Sequence, residues 1–129
     1  MFAVDTNLIV RYLVADDPDQ TDQARNLIDG HEIFICTTVM LETEWVLRRL
    51  YGFSAARCVQ ALTDIAGLPR VILEDAAALA QALNWAGQGM DFADALHLTK
   101  ADGCEAFISF DRALIKAART SPGVKVRLP

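Results

Sequence analysis

The sequence lacks the features that mark several protein classes. It has only three cysteines, two histidines and four prolines in 129 residues. Because Cys36, Cys58 and Cys104 are odd in number and form no C-x-x-C pair, a disulfide framework and a zinc site are both disfavoured. No apolar run is long enough to cross a bilayer, and Asp5 comes too early for the basic start of a signal peptide. We therefore expect a cytoplasmic protein with reduced thiols and no membrane association.

Sequence motifs for nucleotide and acyl chemistry are also missing. The chain contains no G-x-x-x-x-G-K-[ST], G-x-G-x-x-G or G-x-S-x-G sequence, so nucleotide motors, dinucleotide enzymes and serine hydrolases lack support. There is no internal repeat and no linker. The length predicts one domain over residues 1–129 with a sizeable core. A hydrophobic content of 53% suggests that a partner covers some of the surface.

Charge is distributed unevenly along the chain. The net charge is −5, but residues 111–129 carry +4 and residues 1–110 carry −9. An acidic centre followed by a basic tail suits a metal site that acts on a phosphate backbone, although a basic tail is often only a solvated surface.

The order of apolar runs and helical patterns predicts an α/β protein. Short apolar runs predict buried strands, and caps, glycines and prolines mark the ends of the helices between them. Thr37 and Thr38 are expected to cap the third helix. Ser54 is expected to start the fourth helix, and Cys58, Leu62 and Ile65 fit the inner stripe of that helix. The predicted strands are residues 2–4, 33–36, 71–73, 106–110 and, after Pro122-Gly123, 124–126; the helices are residues 7–14, 20–28, 39–50, 54–65, 74–85, one from 92, and 112–119.

Two aspartates stand where an apolar strand changes into a helix. Asp5 follows the first strand and Asp111 follows the fourth. Parallel strands of an α/β sheet end at one edge, where ligands bind, so the two carboxylates meet there if these strands are parallel neighbours. The alternative is that Asp5 only caps the next helix.

Two glutamates of the third helix are expected to differ in environment. Glu42 shares a helix face with Val39 and Val46 and should be drawn toward the interior, where a carboxylate needs compensation. Glu44 precedes Arg48 by four residues, the spacing of an ordinary exposed ion pair. We therefore expect Glu42→Gln to impair function and Glu44→Gln to be nearly silent.

A second acidic segment follows Gly89. Asp91 is well placed to cap a helix, and Asp94 at its third position fits a reciprocal cap. The two acids also lie three residues apart and can converge on one helix face. His97 could orient Asp94 or meet a substrate, although such a histidine is more often packed and hydrogen-bonded.

Asp5, Glu42, Asp94 and Asp111 come from four separate elements. Gathered without a cation they would repel and raise one another's pKa. Oxygen ligands without cysteine or paired histidines favour Mg²⁺ or Mn²⁺ over zinc, and such an ion suits hydrolysis of a phosphodiester.

Four segments together resemble the PIN domain, and more narrowly the VapC-type toxins of bacterial toxin–antitoxin pairs. They are Asp5-Thr6-Asn7, residues 38–42 ending in Glu42, residues 94–98 beginning with Asp94, and residues 108–112 containing Asp111. The resemblance spans nearly the whole chain. It implies a three-layer α/β/α sandwich with a central, mainly parallel sheet, and endoribonuclease activity that depends on Mg²⁺ or Mn²⁺.

The resemblance also assigns roles to residues. It makes Asp5, Glu42, Asp94 and Asp111 the acidic metal-site residues, and it implies a homodimer and a cognate antitoxin whose segment occupies the groove. Ser109 stands where the family often has threonine, so a hydroxyl is retained. The supporting residues are Thr6, Asn7, Asp91, His97 and Ser109, and the nearest basic residues expected to contact RNA phosphates are Arg112 and Lys116.

Two other functions remain open from the sequence. A phosphoacceptor receiver domain would need adjacent acids after the first strand and an acceptor aspartate on a middle strand, whereas Asp5 stands alone and the middle strands end at Cys36 and Leu73. A non-catalytic PIN-like module that only binds a partner is disfavoured because all four acids are present.

Overall fold

The computed structural model describes residues 1–121 and 123–129 and has the α/β organisation that the sequence predicts. Pro122, in the predicted turn before the last strand, lies outside the described residues. In chain order the elements are β1 (Phe2–Ala3), α1 (Thr6–Val14), α2 (Pro18–Gly30), β2 (Ile33–Ile35), α3 (Thr37–Arg49), α4 (Ala55–Ala66), β3 (Val71–Leu73), α5 (Ala76–Gly87), α6 (Phe92–Lys100), β4 (Phe107–Ile108), α7 (Arg112–Ala118) and β5 (Val126–Arg127).

All the described strand pairs are parallel, which confirms the predicted class. The strands β1, β2 and β3 form one sheet in that order, and β4 pairs with β5 in a second sheet. The condition under which Asp5 and Asp111 would meet at one sheet edge is not fulfilled among the described strands, because β1 pairs with β2 and β4 pairs with β5. The final segment, expected as an edge strand, begins two residues later and ends one residue later than predicted, and it takes β4 as its partner.

The chain forms two compact units, Met1–Ala76 and Ala77–Pro129. In the first, α1 packs against α2 and α3, and α4 packs against α3 and β3. Its core includes the predicted inner stripe of α4, where Cys58, Leu62 and Ile65 are at most 1% exposed. In the second, α7 packs beside β5. No helix of the described residues is long and apolar enough to span a membrane.

The first strand is less buried than predicted. Phe2 is 50% exposed and Ala3 is also exposed, so Val4 alone of this apolar run is buried. The reason is position, since β1 lies at the edge of its sheet whereas the central strand β2 buries Ile33 and Ile35 completely.

Most helices begin at the caps that the sequence indicates. Ser54 caps α4 with a hydrogen bond from the Arg57 N–H (3.1 Å), as predicted. The threonine cap of α3 was wrong: Cys36 is the N-cap and makes no side-chain cap bond. Instead, the Thr37 N–H donates to Glu74 Oε1 (2.8 Å), so an acid from a distant loop takes the place of a local cap.

The buried face of α3 differs from the prediction. Glu44 is 5% exposed whereas Glu42 is exposed, because the inner stripe consists of Met40, Thr43, Glu44 and Leu47. Its two polar members find partners inside the helix: Thr43 Oγ1 donates to the Val39 carbonyl (2.7 Å), and the Arg48 guanidinium donates to Glu44 Oε1 (2.8 Å). Local pairing therefore makes burial of these polar side chains tolerable.

Candidate active site

Asp5 occupies the junction between β1 and α1, as predicted. Its side chain is exposed, and its Oδ1 accepts a hydrogen bond from the Leu8 N–H (3.2 Å). Asp5 is therefore the N-cap of α1, as in the alternative interpretation of the sequence. This bond uses one carboxylate oxygen, so capping does not prevent the second oxygen from binding a ligand.

The two residues after Asp5 differ in environment. Thr6 is 4% exposed, and its Oγ1 is buried without a hydrogen-bond partner among the described residues. Asn7 is exposed and lines a cavity of about 430 Å³ together with Asp5 and Arg11. Asn7 and Arg11 lie four residues apart and share a face of α1.

Arg11 is a residue of this region that the sequence prediction missed. Its guanidinium donates to Gln20 Oε1 (2.6 Å), Asp16 Oδ1 (3.0 Å) and the Tyr51 hydroxyl (2.9 Å). These bonds fix a positive charge at the rim of the cavity that Asp5 lines. The Asn7–Arg11 spacing was the signal available in the sequence.

Glu42 lies in the second turn of α3, a helix of the first unit that packs against α1. Its carboxylate is accessible to a ligand because the side chain is exposed. Trp45, one turn further along the same side of the helix, is 49% exposed. Glu42 thus stands beside an exposed aromatic surface and outside the core.

The second unit brings three acids close enough to influence one another. Asp94 is half-buried, and Asp91 and Asp111 are exposed. The pKa of Asp94 is raised, first by burial and then by the negative charges of Asp91 and Asp111. The nearby His97 opposes this rise. A positive charge near Asp94 would therefore stabilise its ionised carboxylate.

Hydrogen bonds fix the backbone around these acids. Asp91 Oδ1 accepts from the Asp94 N–H (3.0 Å), which makes Asp91 the N-cap of α6. Asp111 Oδ1 accepts from the Ala113 and Leu114 N–H groups (2.9 and 3.1 Å) and caps α7. Ser109 Oγ in turn accepts from the Asp111 N–H (2.9 Å), so the retained hydroxyl supports the Asp111 backbone.

His97 is exposed, and so are Arg112 and Lys116, the two residues predicted to contact RNA phosphates. His97 lies one turn after Asp94 on α6, and it is not the packed histidine of the alternative interpretation. Arg112 and Lys116 lie four residues apart on α7 and follow Asp111 directly along the chain. All three side chains are therefore accessible to a substrate.

The predicted metal ligands fall into two groups. Asp5 and Glu42 belong to the first unit, and Asp94 and Asp111 belong to the second, together with Asp91. The strand pairing that would bring Asp5 to Asp111 is not observed among the described strands, and the convergence of all four acids on one ion stays a prediction.

The donor set fits a hard divalent cation. The interacting acids offer only oxygen atoms, the ligands that Mg²⁺ and Mn²⁺ prefer. Within the described ranges, no three histidine, cysteine or acidic side chains lie close enough to enclose an ion. Zinc sites in proteins use three or four such side chains as ligands, whereas Mg²⁺ usually keeps several waters and binds one or two carboxylates. The orphaned Thr6 hydroxyl beside Asp5 also suits a site that a bound group completes.

Comparison with protein-family models agrees with the parallel α/β organisation. The model described as the PIN domain matches residues 2–120. The chain belongs to the PIN domain family. PIN domains are typically nucleases and generally use divalent metal ions. Neither the comparison with curated proteins nor that with solved structures gives a match.

Membership of the PIN domain family bears on the functions that the sequence left open. It replaces the receiver-domain alternative, whose acids were already misplaced in this sequence. It also supports hydrolase activity of the nuclease type in general.

Proposed function

We propose that this PIN domain protein is an endoribonuclease that depends on Mg²⁺ or Mn²⁺ and acts as the VapC-type toxin of a bacterial type II toxin–antitoxin pair. The observation that carries the proposal is the half-buried Asp94 with the negative charges of Asp91 and Asp111 nearby. A cluster of this kind is stabilised when a cation offsets its charge.

Asp5, Glu42, Asp94 and Asp111 are the residues that would hold the ion, one or two of them directly and the others through its bound waters. A bound divalent cation supplies the positive charge that stabilises the charge developing on a phosphate during hydrolysis. Asp91 contributes a further negative charge and fixes the first turn of α6, and Ser109 fixes the backbone of Asp111.

The side chains around these acids suit an RNA substrate. Arg112 and Lys116 are exposed on the helix that Asp111 begins, so a phosphate near Asp111 has cations beside it. Charge-assisted bonds from arginine to phosphate are among the stronger hydrogen bonds in proteins. His97 stands one turn from Asp94 and can meet the substrate.

The proposal includes an antitoxin, a homodimer and a cytoplasmic location. Large apolar side chains are exposed on the isolated chain, with Trp45 at 49% and Leu50 at 68%. Trp45 lies on the side of α3 that carries Glu42, so an antitoxin segment that covers this tryptophan would also cover a catalytic acid. Free thiols at Cys36, Cys58 and Cys104 suit a reducing compartment.

Cleavage of total cellular RNA tests the proposed activity. We expect the purified protein to cut RNA at discrete sites with Mg²⁺ or Mn²⁺ and to be inactive with EDTA. Asp94→Asn should reduce the rate on the order of 100-fold, because it removes a charge at the centre of the cluster. Asp102→Asn, which changes an exposed acid of the α6–β4 loop in the same way, should leave the rate unchanged.

The same assay separates the enzyme from the non-catalytic alternative. A folded protein that binds RNA or an antitoxin but cuts no RNA with either ion would favour a partner-binding module. Equal rates for the parent protein and Asp94→Asn would contradict the assignment of the site.

A further inference from the structure

We infer that a basic cavity between α7 and β5 binds the phosphate backbone of the RNA substrate beside the acidic site. The cavity has a volume of about 680 Å³, within the range of about 300–1,000 Å³ for ligand sites. Its charged lining residues are Arg112, Arg119, Lys125 and Arg127. The inference extends the proposed ribonuclease function by assigning where the substrate is held.

The four cations come from two segments of the chain that line the cavity. Arg112 and Arg119 are seven residues apart, which is two turns along α7 and its C-cap. Lys125 directly precedes β5, and Arg127 lies in β5 two residues further along the chain. The chain therefore concentrates positive charge in one concavity.

The positive charge of the cavity is not balanced within its walls. None of the described residues that line it is acidic, and the other side chains there include the apolar Ile115, Val124 and Val126. All four cations are exposed, and the described structure shows no salt bridge at any of them. Cations gathered in a concave site without counter-charges raise the local concentration of anions.

The neighbourhood of the cavity favours RNA over other anions. Arg112 directly follows Asp111, so the cationic lining begins where the acidic cluster ends. Phe110, which directly precedes Asp111 in the chain, is 82% exposed. An accessible aromatic ring beside a basic groove is the combination by which proteins bind single-stranded nucleic acid, with bases stacked and phosphates paired.

The cavity refines the predicted RNA contacts. Arg112 lines it, whereas Lys116, predicted with it, is not among the lining residues. Arg119, Lys125 and Arg127 were not predicted individually. The signal for them in the sequence was the net charge of +4 over residues 111–129.

Binding of a labelled single-stranded RNA oligonucleotide in EDTA, followed by fluorescence anisotropy over a series of salt concentrations, tests the inference without cleavage. We expect Arg119→Gln/Lys125→Gln to weaken binding on the order of tenfold and to reduce the slope of log K against log [salt] by about 1.4, since each lost phosphate contact contributes about 0.7 for a single strand. Arg25→Gln/Arg57→Gln removes the same charge from exposed positions of the first unit and should change neither value. Thermal unfolding of both variants checks that the fold is kept.

Two results would overturn the inference. One is unchanged RNA affinity and salt slope in Arg119→Gln/Lys125→Gln, or an equal loss in the control variant. The other is a parent protein that binds polyglutamate through these residues but does not bind RNA, which would assign the cavity to an acidic protein segment.

The outcomes are independent of the catalytic test. Cavity-dependent RNA binding without metal-dependent cleavage would contradict the proposed function and support the inference. If Arg119→Gln/Lys125→Gln cleaves RNA at the parent rate and binds it with unchanged affinity, the proposed function would be supported and the inference about the cavity would be contradicted.

Discussion

At the scale of single residues, Glu42 and Glu44 show how two neighbouring acids of one helix acquire different roles. Glu44 is buried near Cys58, where burial of the thiol and then the negative charge of Glu44 raise the pKa of Cys58. The charge of Glu44 is offset by Arg48. Glu42 is exposed, where a carboxylate can bind a ligand. Glu44 is therefore a structural residue. Glu42 stays the candidate for function, but because it is exposed and not, as predicted, because it is drawn toward the interior.

We expect Glu44→Gln to lower the free energy of unfolding by about 1 kcal/mol or more, because it removes the charge that pairs with Arg48 at a buried position. Glu42→Gln should change the unfolding free energy by less than about 0.5 kcal/mol, as is usual for exposed sites, while reducing RNA cleavage. Urea unfolding and the cleavage assay separate the two effects. A stable Glu44→Gln protein, or an unstable Glu42→Gln protein, would contradict this division.

At the scale of elements, three of the acids in and around the site are also helix caps. Asp5, Asp91 and Asp111 each use Oδ1 to accept backbone N–H groups of the helix that follows. The structural and functional interpretations of these residues are compatible, because the cap fixes the direction of the carboxylate. Removing the charge and removing the cap are therefore distinct perturbations.

Two substitutions at Asp91 distinguish these perturbations. Asp91→Ala removes the acceptor of the Asp94 N–H and should cost about 1 kcal/mol of stability, whereas Asp91→Asn keeps an acceptor oxygen and should cost much less. If Asp91 also acts by its charge, both variants should cleave RNA more slowly. Thermal unfolding and cleavage rates measure this, and full activity of Asp91→Asn would restrict Asp91 to capping.

Short-range features were the most predictable from the sequence. The exits of β1 and β4, the Ser54 cap and the inner stripe of α4 all depend on residues within a few positions of one another. The face of α3 was not predictable in this way, because its buried stripe includes Thr43 and Glu44, whose burial depends on partners within the helix. The order of the strands was not predictable for a similar reason. The strand β4 pairs with β5, and apolar runs alone do not specify which strands are neighbours.

At the scale of the whole molecule, the acids proposed to hold the ion belong to different compact units. The second unit holds the interacting acids, the basic cavity proposed to bind the substrate, and the exposed Phe110. The first unit holds Asp5 and Glu42. The account therefore requires that a single ion depends on acids from both units.

Titration of the metal-free protein with Mn²⁺, with bound ion measured by electron paramagnetic resonance, tests that requirement most directly. We expect the parent protein to bind Mn²⁺, and Asp5→Asn in the first unit and Asp94→Asn in the second each to weaken binding at least about tenfold, while the control Asp102→Asn does not. Unchanged Mn²⁺ affinity in Asp5→Asn, beside a loss in Asp94→Asn, would contradict the account by showing that the acids of the two units do not share an ion.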